Sequence, residues 1–218
     1  MKKKIAILPG DGVGPDVIEQ AQKVLDAIAQ RFDHQFDCCQ ADIGASAIQK
    51  TGSPLPDYTL DTCIQADAIL FGAVGHPTYD NDPKAKVRPE QGLLKLRKAL
   101  GLYANIRPVN TFPKLLHYSA LKPESVRGVD FLIYRELTGG IYFGGSNRSE
   151  DGQEATDICK YNTTEIERVV RQAFERAAIR RAKLTLVDKA NVLETSRLWR
   201  EVVQDLAMEY SHVAVNML

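Results

Sequence analysis

The chain has 218 residues, of which 28 are Lys or Arg and 28 are Asp or Glu, so its formal net charge is zero. This balance excludes a strong overall electrostatic field of the kind that favours binding to nucleic acid or to an anionic membrane. Hydrophobic residues make up 44% and charged residues 26%, which is ordinary for a globular protein. A chain of this length can form one large domain or two small ones, with a substantial buried core.

The cysteines and the apolar runs indicate where the protein works. Cys38, Cys39, Cys63 and Cys159 form no C-x-x-C pair and have no histidine at zinc-ligand spacing. We interpret them as free thiols of a reducing compartment rather than as a metal site or a disulfide framework. The apolar run behind the first lysines is too short for a signal peptide, and no stretch approaches the ~18 apolar residues of a membrane span. We therefore expect a cytoplasmic protein with neither membrane nor nucleic acid as a partner.

Short apolar runs alternate with amphipathic segments along the chain. The patterns predict strands at 4–8, 68–71, 131–134, 184–187 and 213–215. They predict helices after Pro15 and at 91–100, 164–183 and 194–210. This alternation indicates an α/β fold with a largely parallel sheet.

The stretch 138–162 breaks this alternation, because it is rich in glycine and polar residues with scattered aromatic residues. It is too long for an ordinary turn. It fits either an extended hairpin that reaches another subunit or a disordered surface loop.

Three glycines follow the first predicted strand in "ILPGDGVGPDV". Gly10, Gly12 and Gly14 have the spacing G-x-G-x-G, whereas the dinucleotide-binding fingerprint needs G-x-G-x-x-G and a later acidic residue at a strand end. The ordinary fingerprint is therefore rejected. The glycines fit either a tight turn with positive φ and close backbone approach or a backbone surface that lies against a flat part of a cofactor.

Three arginines stand at or near the ends of predicted elements. Arg97 lies near the end of a helix, Arg107 lies in "ANIRP", and Arg135 follows the strand at 131–134. Any one of them could be a solvated charge, but guanidinium groups bind carboxylates through paired, charge-assisted hydrogen bonds. Together they indicate an anion site suited to a dicarboxylate.

Five stretches carry a resemblance to a known family: "LPGDGVGP", "ILFGAVGHP", "RPEQGLLKLRKALGLYANIRP", "YRELTGGIYFG" and "DKANVLETSRLWR". Together they resemble the β-decarboxylating dehydrogenases of the isocitrate/isopropylmalate dehydrogenase family over nearly the whole chain. The resemblance implies the two-domain fold of that family, which is not a standard Rossmann fold. Residues 1–101 would be the first part of the cofactor and substrate domain. Residues 102–218 would belong to a dimerisation domain with a hairpin protruding at about 138–162.

The resemblance also implies a reaction. We expect oxidative decarboxylation of 3-isopropylmalate to 2-oxoisocaproate in leucine biosynthesis, with NAD and either Mg²⁺ or Mn²⁺. The expected enzyme is a homodimer whose active site is shared between subunits. Related enzymes acting on D-malate, tartrate or homoisocitrate, and a non-catalytic dimerising protein, are the alternatives.

Site residues follow from the same resemblance. Arg97, Arg107 and Arg135 would bind the malate carboxylates, while Leu93 and Leu94 would contact the isopropyl branch. Glu90 would repel a third carboxylate. The residues implied in proton transfer are Tyr142 and, from the partner subunit, Lys189, with Asn191 and Val192 beside the lysine. The residues implied in cofactor binding are Val13, His76, Pro77, Thr78, Tyr79, Arg88, Pro89 and Glu90.

No metal ligand is expected within the chain. In the family the metal-binding aspartates come after the point that matches Leu218, and so does the loop that binds the adenosine half of NAD. The sequence is therefore expected to be the N-terminal portion of the enzyme and to be inactive by itself.

Overall fold

The computed structural model describes residues 1–82 and 85–218 and divides the chain into two compact units. Unit 1 is Met1–Leu100 and unit 2 is Gly101–Leu218. Within these residues no helix has both the length and the apolar character needed to cross a membrane.

Unit 1 is built around a three-stranded parallel sheet with the order β2-β1-β3. Its elements in chain order are β1 (Lys2–Gly10), α1 (Gly14–Phe32), β2 (Gln35–Gln40), α2 (Ala45–Thr51), α3 (Asp57–Ile64), β3 (Ala68–Ala73), α4 (Pro77–Asp80) and α5 (Pro89–Ala99). The buried core joins the sheet to the helices through Ala6, Leu8, Ala41, Ile43, Leu55, Cys63 and Leu96. The strands predicted at 4–8 and 68–71 and the helix at 91–100 are confirmed.

The carboxyl ends of β1 and β3 approach so closely that two of the loop glycines have no room for a side chain. At Gly10, where φ is +73°, a Cβ would lie 1.8 Å from the carbonyl oxygen of Ala73. At Gly14 a Cβ would lie 2.1 Å from the carbonyl oxygen of Pro9. The tight-turn interpretation of the glycines is therefore confirmed, and their contact with a cofactor stays a prediction.

The loop between these glycines is held by the buried carboxylate of Asp11, which is 6% exposed. Oδ2 accepts hydrogen bonds from the backbone N–H of Ala45 at 2.7 Å and of Gly75 at 3.1 Å. Oδ1 accepts from the backbone N–H of Ser46 at 2.9 Å. One side chain thus joins the loop after β1 to the start of α2 and to the segment after β3.

Helix α1 confirms the prediction of a helix after Pro15, but only part of its apolar stripe is covered. Ile18 is buried, whereas Val17 and Val24 are 52% and 60% exposed. Hydrophobic periodicity locates the helix correctly without specifying how deeply each apolar side chain is buried.

Unit 2 combines three two-stranded sheets with two long helices. Its elements are β4 (Ala104–Asn110), a 3₁₀ helix (Pro113–Tyr118), α6 (Pro123–Val126), β5 (Asp130–Glu136), β6 (Ser146–Arg148), β7 (Ala155–Asp157), α7 (Thr163–Ala178), β8 (Lys183–Leu186), α8 (Glu194–Glu209) and β9 (Ala214–Met217). The pairs β4-β5 and β6-β7 are antiparallel, and β8-β9 is parallel. The core lies along α7 and α8 and includes Ile166, Val169, Val170, Phe174, Val203 and Leu206.

Unit 2 corrects two of the expectations. A largely parallel sheet describes unit 1, but β4 and β5 form an antiparallel pair. The helix predicted at 164–183 ends at Ala178, because the backbone N–H groups of Arg180 and Ala182 both bond to the carbonyl oxygen of Ala177, at 3.0 and 2.9 Å. Ala182 has φ of +50°, which turns the chain into β8.

The glycine-rich stretch at 138–162 forms a hairpin. Strands β6 and β7 pair with each other, and a single bridge joins Gly140 to Lys160 closer to the root. The hairpin interpretation is confirmed over the disordered loop, and its contact with another subunit stays a prediction.

The turn after β8 is tied down by an ion pair. Arg200 donates to both carboxylate oxygens of Asp188, from Nε at 2.7 Å and from Nη2 at 3.0 Å, and the side chain of Asp188 is only 4% exposed. The backbone N–H of Ala190 donates to the same carboxylate at 2.9 Å. Hydrogen bonding to Arg200 is the main cause that lowers the pKa of Asp188, and burial opposes it.

We expect Asp11→Ala to lower the free energy of unfolding by about 2–3 kcal/mol, because three buried backbone donors lose a charged acceptor. Chemical denaturation of both proteins measures the difference. Asp16→Ala is the matched control, since Asp16 lies exposed in the first turn of α1. Equal stability of the Asp11 and Asp16 variants would contradict this role for Asp11.

We also expect Asp188 to make stability depend on pH in the acid range. A carboxyl group with a lowered folded-state pKa contributes stability above its unfolded value of about 3.9, and that contribution is lost as the pH falls through the folded value. Asp188→Asn should flatten the decline of the unfolding free energy below about pH 4. Arg200→Gln should flatten it similarly, and an unchanged decline in both variants would refute the ion pair.

Candidate active site

One face of α5 carries four of the predicted substrate residues. Glu90, Leu93, Leu94 and Arg97 have the spacing i, i+3, i+4 and i+7, which places them along one side of a helix. The helix contributes Leu96 to the core of unit 1, whereas both leucines of this face are only half-buried. The leucine pair is thus directed to the edge of the core, where a ligand can reach it.

The start of this face lies beside the segment that follows β3. A Cβ at Gly75 would be 3.3 Å from Oε1 of Glu90, so a bare backbone position faces that carboxylate. The N–H of Gly75 is also the third donor to Asp11. The glycine loop, the end of β3 and the first turn of α5 are therefore contiguous in unit 1.

The predicted cofactor residues between β3 and α5 hold one another in place. Nδ1 of His76 accepts from the backbone N–H of Thr78 at 3.2 Å, and the His76 ring stands edge-on to that of Tyr79 at 6.3 Å. Arg88 donates from Nη1 to the carbonyl oxygen of Tyr79 at 2.8 Å. These contacts hold residues 76–79 close to Arg88, so both parts of the predicted cofactor-binding set lie together.

The other predicted cofactor residues differ in exposure. Val13 is 62% exposed at the start of α1, Pro77 and Thr78 are exposed, and Pro89 is buried at the start of α5. Residues 83 and 84, between the predicted cofactor residues Tyr79 and Arg88, lie outside the described residues.

In unit 2, Arg107 and Arg135 share one face of the β4-β5 ladder. Arg107 is opposite Ile133, and Arg135 is opposite Asn105, so the two arginines are diagonal neighbours. Diagonal positions lie about 7–8 Å apart, within reach of long side chains. Both arginines are exposed, and Nε of Arg107 donates to Oδ1 of Asn105 at 2.6 Å. The ladder therefore presents two guanidinium groups to solvent from one face.

Tyr142 is in contact with one of these arginines. Nη2 of Arg135 donates to the Tyr142 hydroxyl at 3.2 Å, and its guanidinium carbon lies 5.4 Å from the centre of the ring. Tyr142 is 56% exposed. A cation that can bind a carboxylate and a phenol that can donate a proton thus stand side by side.

The root of the hairpin that carries Tyr142 depends on residues that sequence reasoning missed. The side chain of Glu136 is 1% exposed and accepts hydrogen bonds from the backbone N–H groups of Thr138 and Gly139 at 2.9 and 2.7 Å. Nη2 of Arg168 pairs with Glu136 at 3.0 Å and also contacts the Thr138 hydroxyl. The guanidinium of Arg168 covers the Tyr103 ring at 4.6 Å. The sequence signal that could have identified Glu136 is its position directly after Arg135, at the end of an apolar strand.

Lys189 and Asn191 lie elsewhere in unit 2, on the turn after β8. They line a cavity of about 640 Å³ together with Asp188, Arg197 and Arg200. The backbone N–H of Val192 donates to the carbonyl oxygen of Lys189 at 3.0 Å, which closes the turn.

Asp188, the neighbour of Lys189, lines this cavity and also a second cavity that Arg135 lines. The described lining of the cavity at Lys189 and Asn191 includes none of Arg107, Arg135 and Tyr142.

Candidate metal ligands do not converge in the part of the chain that the structure describes. Within residues 1–82 and 85–218, no three His, Cys, Asp or Glu side chains form a group that could hold a metal ion. The residues that the structure describes therefore do not fit a metal site by themselves.

Known proteins resemble the chain over its whole length. A family model for isocitrate/isopropylmalate dehydrogenase matches residues 4–218. The 3-isopropylmalate dehydrogenase of Priestia megaterium is 54% identical over 216 residues, covering 98% of this chain and 58% of that protein. The enzyme of the same name from Bacillus subtilis is 53% identical over 217 residues, covering 98% of this chain and 59% of that protein.

A solved structure shows the same likeness in three dimensions. The crystal structure of isocitrate dehydrogenase from Methylococcus capsulatus superimposes with a TM-score of 0.82 at 32% identity, covering 99% of this chain and 60% of that chain. The chain thus spans about three fifths of the length of the relatives it matches. With the family model, these matches show that the chain belongs to the isocitrate/isopropylmalate dehydrogenase family.

Proposed function

We propose that the protein acts in the NAD-dependent oxidative decarboxylation of 3-isopropylmalate to 2-oxoisocaproate, a step of leucine biosynthesis. The observation that carries this proposal is the contact between Arg135 and the Tyr142 hydroxyl at 3.2 Å. It places a group that can bind a dicarboxylate substrate beside a proton donor that can protonate the enolate left after decarboxylation. Two relatives named 3-isopropylmalate dehydrogenase at 54% and 53% identity support the choice of substrate.

The arginines bind the dicarboxylate. Arg107 and Arg135 present two guanidinium groups from one face of the β4-β5 ladder. We assign these two arginines and Arg97 to the malate carboxylates. A guanidinium donates two parallel hydrogen bonds to a carboxylate and so fixes its orientation as well as its charge. Orientation matters here because the scissile bond must stay aligned while CO₂ leaves.

The α5 face selects the third substituent of the substrate. Leu93 and Leu94 offer half-buried apolar surface to the isopropyl branch, and Glu90 on the same face repels a carboxylate. This arrangement disfavours an isocitrate-like substrate. D-malate lacks the branch and would leave the leucine surface uncovered, which makes a D-malate enzyme the second candidate rather than the first.

Two side chains move protons. We assign Lys189 as the base that takes the proton of the C2 hydroxyl, acting in the active site of the partner subunit of a homodimer, with Asn191 and Val192 beside it. Tyr142 then donates a proton to the enolate carbon left by decarboxylation. The described lining of the cavity at Lys189 includes neither Arg135 nor Tyr142, and this favours a base that serves the partner's site.

Bound NAD would supply the hydride acceptor for C2 of the substrate. The contiguous segments of unit 1 fit a cofactor, because bare glycine backbone at Gly75 and the exposed Val13 lie at the carboxyl end of a parallel sheet, where ligands bind in open α/β folds. We assign His76 to Tyr79 and Arg88 to Glu90 to its nicotinamide side. The divalent metal, Mg²⁺ or Mn²⁺, would take its ligands from family residues that follow the match to Leu218.

The first test replaces the planar guanidinium group of an arginine by the single ammonium charge of a lysine, in the protein expressed from its complete gene. Arg135→Lys and Arg97→Lys should each raise KM for 3-isopropylmalate by about tenfold or more, equivalent to the ~1.4 kcal/mol of one lost charge-assisted hydrogen bond. Initial rates of NAD reduction measure this. Arg148→Lys, on the exposed strand β6, is the control. Unchanged KM in both variants would remove these arginines from the site.

A second test concerns specificity. Leu93→Asn should lower the ratio of kcat/KM for 3-isopropylmalate to kcat/KM for D-malate by about tenfold or more, because a branched alkyl group loses its apolar partner. Lys95→Asn on the exposed side of the same helix should leave the ratio unchanged. If the unsubstituted protein prefers D-malate or homoisocitrate, the isopropylmalate assignment is wrong.

A further inference from the structure

One deeply buried carboxylate of unit 2, that of Glu136, has no role in the proposed reaction. Its side chain is 1% exposed, although it directly follows the exposed Arg135 on β5. Successive side chains of a strand point to opposite faces. The end of β5 therefore presents the proposed carboxylate-binding cation on one face and a buried anion on the other.

Glu136 holds the first two residues of the hairpin. Its Oε2 accepts from the backbone N–H groups of Thr138 at 2.9 Å and of Gly139 at 2.7 Å. Its Oε1 accepts from the Thr138 hydroxyl at 2.6 Å. Because these three hydrogen bonds use both carboxylate oxygens, they fix the direction in which the chain leaves β5.

From this point the backbone hydrogen bonds continue to Tyr142. The N–H of Gly140 donates to the carbonyl oxygen of Lys160 at 2.8 Å, on the returning side of the hairpin. The N–H of Gly144 donates to the carbonyl oxygen of Gly140 at 3.0 Å, which closes a turn with Tyr142 at its centre. Residues 138–144 are thus tied at both ends and in the middle.

The same stretch has no room to shift sideways. A Cβ at Gly144 would lie 1.8 Å from the carbonyl oxygen of Ile158, so the two sides of the hairpin are in direct backbone contact. A displacement at the root is therefore passed on to Tyr142, because nothing between them can absorb it.

Helix α7 supplies the counter-charge that keeps Glu136 in place. Nη2 of Arg168 lies 3.0 Å from Oε1 of Glu136, and the Arg168 guanidinium covers the Tyr103 ring at 4.6 Å. Gln172, one turn further along α7, donates to the Tyr103 hydroxyl at 2.6 Å. The hairpin root is thus connected to the helix through Arg168.

This pair is not optimised for stability. Nε of Arg168 is buried and has no acceptor among the residues that the structure describes. A buried ion pair adds little to stability unless its remaining donors are also satisfied. The arrangement is better explained by what it places than by what it stabilises.

We propose that Glu136, held by Arg168, is a positioning residue that keeps the Tyr142 hydroxyl beside Arg135. The inference rests on the proposed function, in which Tyr142 donates a proton to the enolate carbon. A misplacement of about 1 Å in an active site can cost on the order of 100-fold in rate. Glu136 acts through Tyr142 and touches no substrate, because it faces away from Arg135.

The experiment is a double-mutant cycle in the protein expressed from its complete gene. Glu136→Gln keeps the shape of the side chain but replaces one acceptor oxygen by an amide group. We expect kcat for 3-isopropylmalate to fall about tenfold or more and KM to change less than about threefold, since Arg107 and Arg135 stay on the β4-β5 ladder.

The second half of the cycle tests whether the effect passes through the phenol. In a Tyr142→Phe background, Glu136→Gln should lower kcat by less than about twofold, because the group through which it acts is gone. Equal effects in the two backgrounds would overturn the proposal. Should Glu136→Gln disturb the fold, Thr138→Val removes a single hydrogen bond to the same carboxylate and should show the same dependence on Tyr142.

Amide exchange provides a readout that needs no substrate. Glu136→Gln should speed exchange at Thr138 and Gly139 at least about tenfold, and change it least at Ser149, which bonds to Glu154 near the hairpin tip. Unchanged exchange at the root would refute the positioning role whatever the reaction. If the unsubstituted protein oxidises D-malate instead, the substrate assignment fails, and the same cycle with D-malate still tests Glu136.

The matched control is Glu167→Gln. Glu167 lies exposed on α7 next to Arg168 and pairs with Arg171 at 2.8 Å. This variant should leave kcat and the exchange at Thr138 and Gly139 unchanged. A loss of kcat as large as that of Glu136→Gln would show a general sensitivity to charge on this helix and would contradict the proposal.

Discussion

The carboxylate of Asp11 is the contact on which the organisation of unit 1 depends. It accepts three backbone N–H groups, from Ala45, Ser46 and Gly75, in a loop whose flanking glycines leave no space for side chains. A buried carboxylate with three donors is rigid, because any displacement breaks charge-assisted hydrogen bonds in a dry environment. The loop after β1, the start of α2 and the segment after β3 therefore behave as one body. The proposed cofactor residues and the α5 face both begin at this body.

Much of this architecture could be predicted from the sequence, and the failures have physical reasons. The apolar runs at 4–8 and 131–134 are strands because their residues are bulky and flanked by turn residues. Strand β4 was missed, since "ANIRPVN" mixes polar residues with a proline that has no backbone donor. That proline is tolerated because Pro108 lies opposite Leu132, whose backbone faces away from β4. Periodicity also could not show where α7 ends, because Ile179 to Ala182 are acceptable helix residues that the turn at Ala182 overrides.

The site shows the same division between what sequence can and cannot provide. The helix predicted at 91–100 includes Leu93, Leu94 and Arg97, and resemblance suggested the roles of Tyr142 and Lys189. The structure starts this helix at Pro89, which adds Glu90 to the same face. Glu136 and Arg168 were missed, because a charged pair buried at a hairpin root looks in sequence like two surface charges 32 residues apart. Their importance comes from burial, which no local pattern reveals. They hold the root of the hairpin, while Arg135 on the same strand contacts Tyr142.

The alternation of backbone direction along β8 has a consequence for substitutions in this strand. The carbonyl oxygens of Ala182 and Leu186 accept hydrogen bonds from the N–H groups of Ala214 and Leu218, so the even-numbered residues hold the β8-β9 ladder. Lys183 and Thr185 carry exposed side chains. A change of side chain at either of these two positions therefore leaves both the ladder and the packing behind it in place.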